Sequence, residues 1–265
     1  MKKVRIFSIV LLLISAGAFV AFRQYRKMTD DTVPPVLTCE SEELVMQTDA
    51  AEEDLLQGVT AVDNRDGDVS GTLVVESISS FDDEGCRIVT YAAVDASNNV
   101  GRCQRTLVYE GYQPPEFHLK APLSFAAGDT IKVLSCITAS GSLDGDLTDR
   151  IKYSLEGSIN SMVPGNYPVE FRVMDSGGNT VYLNTQIEVY ERTYTGIKVS
   201  LKEYLVYLDK GQSFDPYAYY NGADAEGELS IESNVNTEEE GSYYVDYVVN
   251  GFGGKGKNRL IVVVR

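Results

Sequence analysis

The stretch Asp-Gly-Asp at residues 66–68 is repeated at 144–146 and, with glutamate on both flanks, at 226–228. The copies lie about eighty residues apart, which exceeds the roughly 20–50 residues of a solenoid repeat. A period of this length is the size of a small domain. The repeat therefore predicts three tandem copies of one module.

Each copy is followed, 13 to 19 residues later, by a glycine that opens an alternating run of apolar and polar residues. A period of two predicts strands with one buried face. Turn-forming residues at 95–99 and 175–179 predict hairpins in the first two copies. Short strands with regular turns predict an all-β chain of antiparallel β-sandwiches. The predicted modules are 33–110, 112–191 and 195–265.

The N-terminal segment contains an uncharged apolar run at 6–22, just long enough to cross a bilayer. Three basic residues lie on each side of it, so the positive-inside rule does not settle its orientation. Small residues at 16–18 resemble a cleavage site, which makes a removable signal peptide the alternative. Basic residues directly after the run favour an uncleaved transmembrane anchor over 1–27, followed by a linker at 28–32.

The chain carries a formal net charge of −16 with 39 acidic residues, and residues 1–27 contain only basic charges. The remainder is therefore strongly acidic. Repulsion by phosphate groups argues against nucleic acid or anionic lipid as a partner. Solvated acidic faces are the simplest explanation for this charge.

Three phrases in the first module resemble a known family. Pro-Pro-x-Leu-x-Cys stands at 34–39, Gly-Val-Thr-Ala-x-Asp-x-x-Asp-Gly-Asp at 58–68, and Tyr-x-Ala-x-Asp-x-Ser-x-Asn at 91–99. They are similar to bacterial Ig-like repeats of the hyalin-repeat (HYR) type and to the Ig-like repeat of pesticidal crystal toxins. The resemblance covers about residues 33–265 and is weaker in the third module. It implies an Ig-like fold displayed outside the cell, in an adhesive or spacer role, without catalytic residues.

Two cysteines of the first module align with leucines in the second. Cys39 stands opposite Leu119, and Cys103 stands opposite Leu183. This exchange indicates a buried contact between the first and last strands, and HYR-like modules carry cysteines at both positions. We predict a Cys39–Cys103 disulfide, which requires an oxidising compartment. Two reduced buried thiols are the alternative.

The other two cysteines have no such counterpart. The sequence indicates that Cys86 and Cys136 face away from their own cores. They could pair with each other across modules, pair with another chain, or stay free.

No constellation of catalytic residues stands out. Asp-Ser-Gly-Gly at 175–178 resembles the nucleophile segment of trypsin-like proteases, but such a serine needs a histidine base. His118 is the sole histidine and belongs to a predicted first strand. The segment is predicted to be an ordinary hairpin turn, and the protein is predicted not to be an enzyme.

Acidic residues of the first module form the one candidate metal site. Hard cations such as calcium bind clusters of oxygen ligands. The candidate ligands are Asp63, Asp66, Asp68 and Asp95. Gly141 replaces Asp63 in the second module, so a turn that hydrogen-bonds its own backbone is the alternative. No other cofactor is indicated.

The third module is rich in tyrosine and contains the candidate ligand contacts Tyr217, Tyr219 and Tyr220. Exposed tyrosines are favoured at binding surfaces, although alternating strands also bury tyrosines in their cores. We therefore expect a single-pass membrane protein, with its modules outside the cytoplasm, that binds a surface protein or glycan. A purely structural envelope spacer or assembly subunit is the alternative, and an enzyme or a secreted enzyme accessory module is a remote one.

Overall fold

The computed structural model describes residues 2–29 and 31–265, which form two compact units divided after Glu110. The chain begins with helix α1 (Lys2–Thr29). Its segment Ile6–Arg26 has a mean hydropathy of 2.3 and is long and apolar enough to cross a membrane. Length and composition of this kind are shared by membrane anchors and signal sequences.

The first module consists of seven strands in two sheets. In chain order the strands are β1 (Val36–Cys39), β2 (Glu43–Gln47), β3 (Val59–Asp63), β4 (Gly67–Asp68), β5 (Val74–Ile78), β6 (Arg87–Val94) and β7 (Val100–Glu110). One sheet has the order β1-β3-β4, and the other has the order β2-β7-β6-β5. The module is an Ig-like β-sandwich.

The second module repeats this arrangement. Its strands are β8 (Glu116–Leu119), β9 (Ser124–Ala126), β10 (Ile137–Gly141), β11 (Gly145–Asp146), β12 (Lys152–Leu155), β13 (Gly165–Met174) and β14 (Thr180–Tyr190). The sheets have the orders β11-β10-β8 and β12-β13-β14-β9.

The third module has six strands. They are β15 (Val199–Leu201), β16 (Leu205–Leu208), β17 (Tyr220–Ala223), β18 (Gly227–Ser233), β19 (Gly241–Gly251) and β20 (Gly254–Val264). The sheets are β15-β17 and β16-β20-β19-β18. The predicted all-β fold of three Ig-like sandwiches after one N-terminal helix is confirmed.

The prediction of purely antiparallel sheets is wrong at one place in every module. The pairs β2–β7, β9–β14 and β16–β20 are parallel. The chain leaves the smaller sheet after its first strand, crosses to the larger sheet and lies along the last strand. This crossing covers backbone groups at a sheet edge that would otherwise be left unpaired.

The third copy of the repeated phrase differs in conformation from the first two. Gly67 and Gly145 have φ angles of +75° and +69°, and each stands at the start of a two-residue strand. Left-handed backbone of this kind favours glycine. Gly227 instead opens β18 and pairs with Gly251. A Cβ at Gly227 would lie 2.7 Å from the carbonyl oxygen of Asn250, so close backbone approach explains this glycine.

The apolar cores lie between the two sheets of each sandwich. The largest fully buried side chains include Tyr91 in the first module, Phe171 in the second and Tyr247 in the third. Leu205 and Ile261 of the third module belong to the same apolar cluster as the core of the second. The second and third modules therefore share part of their apolar core and form one compact unit.

Candidate functional site

Three aspartates of the first module converge beside the hairpin that joins β6 to β7. Asp63 is the last residue of β3, Asp95 directly follows β6, and Asp31 lies in the segment that leads to β1. Each offers one carboxylate oxygen, and the three oxygens lie within 4.8 Å of one another. We call these three residues the aspartate cluster.

Backbone N–H groups hold one oxygen of each carboxylate. Asp63 Oδ1 accepts from the N–H groups of Arg65 and Asp66 at 2.7 and 2.9 Å. Asp95 Oδ1 accepts two backbone bonds of 2.8 Å, and Asp31 Oδ1 accepts one of 3.0 Å. The backbone bonds from Asp66 and Arg65 lower the pKa of Asp63, because they favour the charged form.

The remaining oxygens of two of these carboxylates are buried without a donor. Asp63 is 3% exposed. Among the described residues, neither Asp63 Oδ2 nor Asp31 Oδ2 has a hydrogen-bond partner. Among the described residues, Arg65 forms an ion pair with this cluster, and its half-exposed side chain places Nε 3.7 Å from Asp31 Oδ2. The side-chain amide of Asn99 donates to Asp95 Oδ2 at 2.7 Å.

The structure unites two of the four predicted metal ligands, Asp63 and Asp95. The other two act in local turns. Asp66 Oδ2 accepts from the Ala96 N–H at 2.9 Å, and Asp68 Oδ1 accepts from the Ser70 N–H at 2.9 Å. Asp31 was missed because it stands in the segment treated as a linker, where no sequence pattern marks it.

The second module contains the same hairpin, but its aspartate has a different hydrogen-bond partner. Tyr112 donates its hydroxyl to Asp175 Oδ2 at 2.5 Å, and the Asn179 amide donates to the Tyr112 oxygen at 2.6 Å. Asp175 occupies the position of Asp95, and Gly141 occupies that of Asp63. The hairpin carboxylate of the second module is therefore satisfied by a neutral hydroxyl.

Replacing Tyr112 by phenylalanine is expected to destabilise the second unit by about 1.5 kcal/mol, the low end for a bond to a charged group, because Tyr112 is half-buried. Burial and the bond to Asp175 raise the pKa of Tyr112 to about 12. The protonated hydroxyl of Tyr112 therefore stabilises the fold fully at pH values below about 10, the pKa of an unfolded tyrosine. This stabilisation is lost as the pH rises through the pKa of Tyr112 in the folded protein.

Chemical denaturation at pH 7 and pH 11 measures both effects. Between pH 7 and pH 11, the free energy of unfolding of Tyr112→Phe should fall by less than that of the wild type. Tyr217→Phe, at a side chain that is 68% exposed, is the control and should change neither value. An equal loss of unfolding free energy between pH 7 and pH 11 in Tyr112→Phe and the wild type would contradict this assignment.

The three tyrosines predicted as ligand contacts do not form one exposed patch. Tyr217 is exposed, whereas Tyr219 stacks on Phe214 with ring centroids 5.7 Å apart. Tyr220 stacks on Tyr247 at 6.3 Å. Both packed tyrosines lie against the core of the third module.

The junction of the second and third modules contains a groove that the sequence did not reveal. Its volume is about 320 Å³. Amide and aromatic side chains contribute to its walls, among them Asn184, Gln186, Asn234, Tyr243 and Tyr244. In the sequence, the adjacent Tyr243 and Tyr244 stand in the alternating run that follows Gly241.

Buried charges fix this junction. Arg259 of β20 is 4% exposed and binds both oxygens of Asp246 at 2.6 and 2.8 Å. It also reaches Glu188 at 3.0 Å and the Asn166 side chain at 2.7 Å, both in the second module. Lys257 pairs with Glu188 and Asp246. We call Lys257, Arg259, Glu188 and Asp246 the junction charges.

The junction cations remain charged. Burial acts to lower the pKa of Arg259, but its bonds to Asp246 and the nearby charge of Glu188 outweigh that effect and raise it. Arg259 also lies over the ring of Tyr244, 4.1 Å from its centroid, which adds a cation–π attraction. The junction is therefore held by matched and hydrogen-bonded charges.

The structure brings the two cysteines of the predicted disulfide together. Cys39 Sγ and Cys103 Sγ lie 3.0 Å apart as free thiols. Burial and the contact with Cys39 raise the pKa of Cys103 to about 12. The disulfide stays a prediction.

Cys136 differs from its prediction. It is 5% exposed and belongs to the core of the second module, so it does not face away from that core. Burial raises the pKa of its thiol. Cys86 is half-buried, and its pKa is raised by burial and then by the charge of Asp82. His118 contacts Ser140 at 3.2 Å and sits in β8, as a strand residue.

No known family model and no curated protein sequence matches this chain. Among solved structures it is similar to the CBM51-2 and INT domains of Clostridium perfringens ZmpB, solved with GlcNAc, at 13% identity and a TM-score of 0.23. That match covers 57% of this chain and 26% of the other.

It is also similar to the protocadherin gammaB4 extracellular domain, at 10% identity and a TM-score of 0.21, over 87% of this chain and 49% of the other. The chain thus spans less than half the length of either structure. The resemblance to HYR-type repeats stays a prediction, and the assignment of the fold rests on strand order.

Proposed function

We propose that this chain is a single-pass, membrane-anchored protein whose Ig-like modules lie outside the cytoplasm and bind a surface protein or glycan. The observation that carries the proposal is the groove at the junction of the second and third modules. A preformed concave surface with a few placed polar groups is the usual form of a binding site. Amides supply directed hydrogen bonds, and tyrosines offer an apolar face with a polar tip.

The junction charges support this function because they keep the groove in one shape. Ordering flexible groups on binding lowers affinity, so a site built on a rigid frame binds more tightly. Arg259 takes part in both features, since it lines the groove and pairs with Asp246 and Glu188. We therefore propose the groove as the ligand contact in place of the predicted set Tyr217, Tyr219 and Tyr220.

The anchor is supported by helix α1 and its flanking basic residues. The neighbouring sulfurs of Cys39 and Cys103 suit an oxidising compartment. We accordingly place the modules on the outer side of the membrane, and we propose that the chain is not an enzyme.

The inward packing of Tyr219 and Tyr220 favours a second candidate function. A module whose aromatic side chains serve its own core suits a structural spacer or assembly subunit. The two candidates differ in one measurable property, which is ligand binding at the groove.

We expect the full-length chain, purified in detergent, to bind a glycan array or labelled surface proteins through the groove. The double variant Asn184→Ala and Gln186→Ala removes two exposed amides and should reduce that binding at least tenfold. Asn64→Ala, an exposed amide of the first module, is the matched control.

Binding that persists in the groove variant but falls in Tyr217→Ser would return the contact to the tyrosines. Absence of binding by the wild type to either panel would favour the spacer. N-terminal sequencing of the cell-associated protein tests the anchor, because a mature start near Phe19 or Phe22 would show cleavage.

A further inference from the structure

We propose that the aspartate cluster of the first module binds one divalent cation of the calcium type. The ligands are carboxylate oxygens of Asp31, Asp63 and Asp95. This inference is independent of the proposed function, because it concerns a different module from the groove.

The spacing of the oxygens suits calcium. Two ligands of one ion lie at most twice the ion–oxygen distance apart, which is about 4.6–5.2 Å for calcium and about 4.0–4.2 Å for magnesium. The three oxygens lie within 4.8 Å of one another. An ion with the bond lengths of calcium can therefore contact all three oxygens at once.

The unpartnered oxygens leave buried negative charge without a hydrogen-bond donor. Asp63 is 3% exposed, and its Oδ2 has no hydrogen-bond donor among the described residues. Asp31 Oδ2 likewise has no hydrogen-bond donor in the described part of the chain, and Arg65 Nε, on a half-exposed side chain, lies 3.7 Å from it. Buried carboxylates normally pair with a cation, accept hydrogen bonds or coordinate a metal. Backbone bonds hold the other oxygens in place, so the carboxylates cannot easily turn away.

The second module provides an internal comparison. Its hairpin aspartate, Asp175, accepts from the Tyr112 hydroxyl at 2.5 Å, and Gly141 replaces the second carboxylate. That copy has no unpartnered oxygen at this place among the described residues. The same fold therefore builds the hairpin without extra charge, and the charge in the first module is a specific addition.

A bound ion would connect the segment after α1 to the first sandwich. Asp31 follows the end of α1 at Thr29 by two positions, and its carbonyl oxygen accepts from the Asn99 amide at 3.2 Å. Coordination by Asp31 adds a second, stronger tie between this segment and the β6–β7 hairpin. The cation thus fixes the point where the chain leaves α1.

Calorimetric titration of the metal-free, full-length protein in detergent with calcium chloride tests the site. We expect one saturable site per chain, with a Kd of about 10⁻⁴–10⁻³ M, as in extracellular modules. Asp63→Asn and Asp31→Asn should each weaken it at least tenfold. Asp68→Asn and Asp175→Asn are matched controls and should leave it unchanged. Magnesium should bind more weakly than calcium.

Thermal unfolding separates ion binding from a merely structural role. At a free calcium concentration of about ten times the Kd, the equilibrium constant for unfolding of the first unit should fall about elevenfold. Without calcium, Asp63→Asn should be at least as stable as the wild type, because it removes a repelled charge while its amide oxygen still accepts the backbone bonds. With calcium, it should be the less stable protein.

Three results would overturn the proposal. They are the absence of saturable calcium binding by the wild type, binding that is unaffected in both Asp63→Asn and Asp31→Asn, and binding that is lost in Asp68→Asn. The last result would place the ion at the Asp-Gly-Asp turn instead.

Discussion

Replacing Arg259 by methionine is expected to destabilise the second unit by about 3–5 kcal/mol, the range for removing one partner of a buried ion pair. Arg259 is 4% exposed and makes bonds to Asp246, Glu188 and Asn166. Methionine keeps much of the side-chain volume but leaves two buried carboxylates with Lys257 as their only cation among the junction charges. The loss arises mainly from this uncompensated charge.

Urea denaturation of the full-length protein measures the effect. Arg102→Met is the matched control, because Arg102 forms an ion pair of similar geometry with Glu76 on the exposed face of the first module. Solvent screens such a pair, so that variant should behave as the wild type does. Adding Asp246→Leu to Arg259→Met should recover part of the loss. A single-variant loss as small as that of the control would refute the role given to the junction charges.

Oxidation of the Cys39–Cys103 pair is expected to stabilise the first module by about 4 kcal/mol, from the chain-entropy estimate for a closed loop of this length. The two thiols are 64 residues apart in sequence. Their sulfurs already lie 3.0 Å apart, so closing the bond requires little movement of the strands. The stabilisation acts chiefly by restricting the unfolded chain.

Unfolding with and without reductant measures this difference, and non-reducing peptide mapping identifies the bond. The double variant Cys39→Leu and Cys103→Leu copies the leucine pair of the second module and should show no dependence on reductant. Cys86→Ser should keep the full dependence. A different pairing in the peptide map, or equal stability in both conditions, would contradict the prediction.

The three modules could be predicted because their pattern is local. Alternation with a period of two, recurring glycines and turn residues all act within a few neighbours in sequence. The parallel pair in each module could not be predicted, because a short strand such as β2 has the same pattern whichever sheet it joins. The sequence also suggested that Gly227 matches Gly67 and Gly145, although it lies in a strand. Close backbone approach and a positive φ angle both select glycine, so the sequence does not distinguish them.

The aspartate cluster shows a similar limit. Asp63 and Asp95 belong to recurring phrases, so the sequence predicted them. Asp31 contributes because the segment before β1 lies beside the β6–β7 hairpin in the folded chain. No local sequence pattern predicts that contact. The groove was missed because its walls come from strands of two modules, whose shared core includes Leu205 and Ile261.

The parallel pairing of β2 with β7 determines how the first module bears mechanical load. Tension applied through the two ends of the module reaches β1 first and then pulls the parallel strands β2 and β7 in opposite directions along their length. The backbone hydrogen bonds along the paired residues, from Glu43 opposite Thr106 to Gln47 opposite Glu110, are then loaded in shear together and do not open one at a time. Forced unfolding is governed by the unfolding rate, so simultaneous shear should make the module resistant to pulling. A chain tethered at one end and bound at the other would need this strength.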